Sequence, residues 1–341
     1  MLRRTGPTPR PGYTMVELLV VILIIAILAA LTTAAVVRAI GAGKRAQAVT
    51  EIGQLDVVLA KFKQDFGFYP PSHVSGTTAG TVRRFQMPTR NDQPEFFVLK
   101  KMFPRWNPPL APDPVIGPNI VVSTLPADYQ ALAGVPLDPN QVLVLFLAGP
   151  TQTGWDPNAP YAASPTATNK KGPYFDFQTS RLLPGGAVPR YADPWGTPYA
   201  YFSANAGSDT YDPQVQFPWL PAGDPAPPTY VADASGLRDI SLVAPSATDL
   251  SFLAHPYRLQ NGKWMNPGKF QIISAGPDQK FGAGSCRQTA PVPGNDGVRA
   301  WTPGAPGSEY ISSAGVNGVN FGYDDIANFN GGAALGESGN Q

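Results

Sequence analysis

Apolar residues form one unbroken block near the start of the chain: Leu18 to Val37 is twenty residues without a charge or a proline. At about 1.5 Å of rise per residue, a helix over that block is roughly 30 Å long, the thickness of a bilayer core. Beyond Gly41 and Gly43 the pattern changes. Apolar residues recur at Val49, Ile52, Leu55, Leu59, Phe62 and Phe66, with Glu51, Gln54, Asp56, Lys61, Lys63, Gln64 and Asp65 between them. Steps of three and four predict an amphipathic helix with one buried stripe. Gly67 permits a C-terminal cap and Pro70-Pro71 forbid continuation, so the helix should end at Phe66. One helix over 13–66 would run roughly 80 Å if unbroken.

After residue 70 the apolar runs are short. Residues 94–103 predict a short helix, and Gln141 to Leu147 is a seven-residue run that reads as a buried strand or helix. Asp193-Pro194-Trp195-Gly196 is turn chemistry, because Pro fixes φ and Gly tolerates positive φ. Tyr199, Tyr201 and Phe202 then predict an aromatic strand, and Phe270 to Ile273 a second one. Two or three such strands laid over the amphipathic stripe make an α+β fold: a long N-terminal α-helix on a small antiparallel β-sheet head.

Charge sharpens the reading of the apolar block. Glu17 stands at its very start, behind a basic, Pro-punctuated segment containing Arg3, Arg4 and Arg10. A charged side chain at the centre of a membrane helix costs about 2.5–3.5 kcal/mol on insertion scales and less near the interface, so such a residue usually has a partner. A cut between Gly12 and Tyr13 would make Glu17 the fifth residue of a trimmed chain, one helical turn from a new cationic α-amine. It could pair with that amine, or with the amine of another copy. The arginines before the span favour a cytoplasmic N-terminus and an exported body. A cleavable secretory signal has an apolar region of about 7–15 residues, shorter than this one.

The 341-residue chain carries 25 Lys+Arg and 24 Asp+Glu, a net charge of +1. Losing the three leading arginines leaves 22 basic residues against 24 acidic ones, or −2. No clustered basic face is evident, so nucleic acid is not an expected partner. Cys286 is the only cysteine, which rules out an intrachain disulfide and leaves packing or a metal to hold the body. With 39 prolines and 35 glycines the body should be loop-rich.

Gly12 followed by Tyr13-Thr14-Met15-Val16-Glu17-Leu18-Leu19 resembles the cleavage and methylation motif of type IV pilins and type II secretion pseudopilins. The resemblance implies cutting after Gly12 by prepilin peptidase, methylation of the new amine on Tyr13, and assembly directed by Glu17. Four later stretches are similar to the major pseudopilin family in the right order. They are Asp65-Phe66-Gly67-Phe68-Tyr69-Pro70, Gly172-Pro173-Tyr174-Phe175, Asp193 to Tyr201, and Phe270 to Asp278 with Asp324 to Phe329. Tyr13 stands where Phe is usual in that family, and Ala34 where many members carry a kinking proline.

On this reading 1–12 is a leader, 13–66 the N-terminal helix with its membrane span at 18–37, and 67–341 a periplasmic or extracellular head. Insertions at about 72–190, 204–265 and 283–321 far exceed the family's usual connections and are expected as loops and elaborations displayed on the surface. The resemblance also implies a calcium site in the closing loop, with Asp278, Asp324 and Asp325 at the matching acidic positions; calcium takes hard oxygen ligands.

Catalytic patterns are poor. His73 and His255 are the only histidines and lie far apart, no nucleophile elbow accompanies them, and Gly41-Ala42-Gly43-Lys44 lacks the first phosphate-loop glycine, where Arg38 stands. The resemblance thus implies, as the expected function, a non-enzymatic structural subunit of a type II secretion pseudopilus. It would sit in the inner membrane as a single pass and polymerise with itself, other pseudopilins and the inner-membrane assembly platform. The alternatives are a type IV pilus or DNA-uptake pilin, or a membrane-tethered periplasmic binding module.

Overall fold

The computed structural model describes residues 14–75, 82–112, 118–157, 170–184, 186–204, 208–211, 217–218, 231–232, 238–239, 253–254, 256–257, 264–281 and 325–331. The chain divides into two units, residues 1–46 and 47–341. Helix α1, Met15–Phe66, contributes to both.

In the first unit every described side chain from Leu18 to Val37 is exposed, the large ones by 45 % or more. The helix is long and apolar enough to cross a membrane by length and composition. Isolated in water, such a surface would be strongly unfavourable at about 25 cal/mol per Å². The block therefore needs lipid or other apolar helices around it.

In the second unit the α1 stripe is the floor of the core. Ile52, Leu55, Leu59, Phe62 and Phe66 are buried as the spacing predicts; Ala48 is buried too, while Val49 is half-covered. At about 2 kcal/mol per large apolar side chain, these positions dominate the helix's attachment. The helix ends through Gly67, whose φ of 80° suits a left-handed cap and whose N–H bonds the Lys63 carbonyl at 2.7 Å.

Among the described residues three further α-helices follow: α2 (Pro94–Met102), α3 (Ala127–Leu132) and α4 (Pro139–Ala148). The apolar run at 141–147 is helical, and all ten residues of α4 are buried. The local signal is a capping box. Asp138 Oδ1 accepts the Gln141 N–H and Gln141 Oε1 accepts the Asp138 N–H, both at 2.9 Å, with Pro139 opening the first turn. Parts of the stretch 72–190 are thus interior, not a surface elaboration. A helix without a polar face has to be enclosed. Phe146 meets Phe62 and Phe85 with ring centroids 6.0 and 5.3 Å apart, and Trp155 Nε1 donates to the Phe146 carbonyl at 2.8 Å.

The strands are short: β1 (Phe85–Gln86) pairs with β2 (Pro136–Leu137), and β3 (Leu182–Leu183) with β4 (Arg190–Tyr191). The main sheet is antiparallel, with β6 (Phe270–Ser274) between β5 (Ala200–Ser203) and β7 (Ile326–Ala327). Its register sets Ile272 opposite Tyr201 and Ile273 opposite Ala200. Alternation divides its side chains between two clusters. Tyr201, Phe270, Ile272 and Ile326 join the core that holds the α1 stripe, while Ala200, Phe202, Ile273 and Ala327 join Tyr211, Phe217, Tyr257 and Phe281. Of the aromatics in the second insertion, Tyr211 and Phe217 therefore pack locally. Trp219, Tyr230 and Trp301 lie outside the described residues. Beside β5, Ser72 and Ser203 exchange bonds: each backbone N–H donates to the other's hydroxyl, at 2.8 and 3.0 Å.

Buried polar groups hold these pieces in register. Asn140 donates to the carbonyls of Tyr191 and Tyr199 and accepts the Tyr191 N–H, while Asp138 also pairs with Arg190 at 2.5 Å. Glu51 on α1 pairs with Arg181 and accepts the Tyr199 hydroxyl at 2.9 Å. Asp193 turns the chain before β5, its Oδ1 accepting the N–H groups of Trp195 and Thr197 and its Oδ2 the Ser274 hydroxyl at 2.6 Å.

Two predictions follow from these buried charges. Arg181→Met leaves Glu51 charged and enclosed, so it should cost about 3–5 kcal/mol, and adding Glu51→Leu should recover most of that loss. Urea unfolding of the detergent-solubilised chain, followed by tryptophan fluorescence, measures both; a single-variant cost under about 1 kcal/mol would contradict the pairing. Burial pushes the Asp193 carboxyl up to about 6 despite the bonds it accepts. The folded chain then holds that proton more tightly than the unfolded one. This group's contribution to stability accordingly rises as pH falls from about 7 towards 4 and is lost as pH rises through about 6. Asp193→Asn should flatten that part of the stability-against-pH curve.

Candidate functional site

The first turn of α1 is built by a motif that the sequence carries but that spacing of apolar residues does not reveal. Thr14 precedes the helix and Glu17 lies three residues on, the Thr-x-x-Glu pattern of a capping box. Glu17 Oε2 accepts the Thr14 N–H at 2.8 Å and the Thr14 hydroxyl at 2.9 Å, and the Glu17 N–H reaches back to Thr14 Oγ1 at 3.2 Å. The Leu18 N–H bonds the Thr14 carbonyl at 3.2 Å. Helix N-terminal N–H groups need acceptors, and the positive end of the helix dipole favours a carboxylate there. The acid at the mouth of the apolar block therefore has a structural role within its own chain, besides any role between chains.

The geometry also bears on the cut site. Gly12 and Tyr13 lie outside the described residues. Tyr13 is bonded directly to Thr14, so an amine created on Tyr13 would start one residue from the N–H that the Glu17 carboxylate already accepts. The carboxylate is thus held at the very end of the helix, on the residue that follows Tyr13 in sequence. Thr14 is the residue missed by reading the apolar pattern alone; the signal available was its spacing from Glu17.

Of the acidic positions assigned to calcium, Asp278 and Asp325 are among the described residues. Asp278 is exposed, and its Oδ1 accepts the Lys280 N–H at 2.8 Å. Asp325 is buried, and its Oδ2 accepts the Tyr257 hydroxyl at 2.5 Å. Asp324 lies outside the described residues. Among the described residues, no three His, Cys, Asp or Glu side chains converge on a point that could hold a metal ion. Asp278 and Asp325 each accept a hydrogen bond from within the head. His73 Nδ1 lies 2.9 Å from the Ser72 hydroxyl; His255 and Cys286 fall outside the described residues.

Residues 9–33 match the family model described as the prokaryotic N-terminal methylation motif. That motif marks type IV pilin-like and pseudopilin proteins, and with the apolar helix it points to membrane anchoring. It implies processing by prepilin peptidase and assembly with other pilins. No curated protein and no solved structure matches the chain.

Removing the cap separates its structural part from its charge. Thr14→Ala should fray the first turn at a cost of about 0.5–2 kcal/mol, whereas Thr14→Ser should not. Glu17→Gln should also keep the turn, because Gln serves at the third position of a capping box. Amide hydrogen exchange at residues 15–18 in micelles measures this. Equal protection in Thr14→Ala and the parent chain would show that the box does not hold the turn.

Proposed function

We propose that the chain is a structural subunit of a type II secretion pseudopilus, trimmed after Gly12, methylated on Tyr13 and polymerised through α1. The match at residues 9–33 is the observation that carries the reading. It is supported by the fully exposed apolar face of α1 through Val37, which suits a helix that passes from lipid to a bundle of like helices. The order of the later landmarks supports the secretion branch. Asp193 to Tyr201, Phe270 to Ser274 and Ile326-Ala327 supply the turn and the three strands of the main sheet.

In this reading the protein performs mechanics rather than chemistry. A carboxylate in an apolar bundle is costly unless paired, so a copy of α1 gains most where the Glu17 charge meets a cationic amine. The capping box sets where that carboxylate lies, and the amine of a neighbouring subunit competes for it with the Thr14 N–H. Register between subunits is then fixed by one charge pair and affinity by the apolar surface. The head, with no catalytic step assigned to it, faces the periplasm from a single-pass inner-membrane anchor. Calcium in the closing loop remains part of the proposal only through Asp324 and backbone oxygens alongside Asp278 and Asp325.

Intact mass of the chain isolated from its host tests the processing. The expected result is loss of residues 1–12 and gain of one methyl group. Retention of Met1, or removal of the whole span by signal peptidase, overturns the reading. The charge is tested by Glu17→Gln, which should insert in the membrane with an intact first turn yet fail to enter sheared filaments. Normal assembly of that variant would mean that the cap, and not the charge, is what the position supplies.

A further inference from the structure

Beside the buried Glu51–Arg181 pair the head has an open cleft of about 270 Å³, lined by Glu51, Gln54 and Val58 of α1 and by Tyr174, Phe175, Asp176, Gln178 and Tyr191. Two kinds of group meet there. Phe175 is half-buried, and its ring joins Tyr191 at 5.8 Å and Phe177 at 4.8 Å in edge-on contacts that hold it in place. Gln54, Asp176 and Gln178 are exposed, and among the described residues their side chains make no hydrogen bond.

The polar groups favour one ligand chemistry. Two amides offer donors and acceptors side by side, and a carboxylate adds acceptors, a set suited to hydroxyls that both give and take hydrogen bonds. A cation is a poorer fit. The Arg181 guanidinium already covers Tyr191, 4.7 Å from the ring centroid, and the Glu51 carboxylate is spent on Arg181 and Tyr199. A second cation would gain only Asp176 and would be repelled by Arg181 on the Tyr191 ring. An anion would meet Asp176 and Glu51. A neutral polyol with an apolar face suits the amides and the Phe175 ring, while the Tyr174 hydroxyl already donates to Asp65 at 2.7 Å.

We infer that this cleft is a binding site for a neutral pyranose, with Phe175 as the stacking platform and Gln54, Asp176 and Gln178 as the hydroxyl-binding groups. The site lies wholly within residues 51–191 of the second unit and does not depend on whether the chain polymerises.

Saturation-transfer NMR on the full chain tests it, with the protein in a polyoxyethylene detergent that carries neither sugar nor charge. The probes are the methyl glycosides of glucose, galactose and N-acetylglucosamine, with tetramethylammonium and methylguanidinium as cationic comparators. At least one glycoside should receive saturation. Phe175→Ala should weaken its binding about tenfold, and Gln178→Ala about three- to tenfold. The Gln178 side chain is exposed and does not cap the turn it opens, so its variant keeps the test valid if Phe175→Ala perturbs the core. No transfer to any glycoside at millimolar concentration, transfer undiminished in Gln178→Ala, or transfer to the cations alone would each overturn the inference.

Discussion

Burying the stripe of α1 carries a charge inside with it, and much of the head is arranged around that fact. Glu51 lies next to Ile52 and one turn from Ala48 and Leu55, so it cannot stay in water while they are covered. An unpaired carboxylate in that position is prohibitively costly. Arg181 and Tyr199 arrive from far along the chain to meet it, one before β3 and the other at the mouth of β5. The pair therefore sets which rotation of the helix the sheet accepts. Hydrophobic area supplies the adhesion, which is non-directional; the ion pair and its phenol supply the angle.

The same division of labour recurs at α4. Its ten residues have no polar face, yet Asp138, Asn140 and Gln141 at its start are all buried and all bonded, mostly to the backbone of 188–199. That stretch cannot complete a sheet ladder on its own side, so side-chain amides take the place of a neighbouring strand. With no disulfide available, such satisfied polar hubs hold the segments in which strands are only two residues long.

Local signals made a good part of this architecture readable in advance. The α1 stripe from Ile52 to Phe66, the Asp193 turn and the strands at 200–203 and 270–274 all follow from periodicity and turn chemistry acting over a few residues. The run at 141–147 was open between helix and strand because a fully buried segment shows no period; Asp138-Pro139 with Gln141 resolves it. Position was misjudged where burial depends on remote partners. The stretch 72–190 looked like decoration because its partners Phe62, Tyr191 and Tyr199 lie distant in sequence, and nothing near Glu51 announces Arg181. At the candidate site Glu17 stood out by its charge, whereas Thr14, just after the cut site, drew no notice until its hydroxyl was seen on the Glu17 carboxylate.

The exchange between Ser72 and Ser203 has a consequence for how copies of this chain can meet. Strand β5 is an edge strand, and an edge with free N–H groups is an invitation to any other extended segment. Here the Ser203 N–H is already taken by a side chain from its own polypeptide, and the Tyr199 carbonyl just before β5 by Asn140. Lengthening the sheet with a borrowed strand on that side would first require tearing Ser72 away. Pairing of two such heads through the β5 edge therefore carries the cost of breaking a bond within the chain.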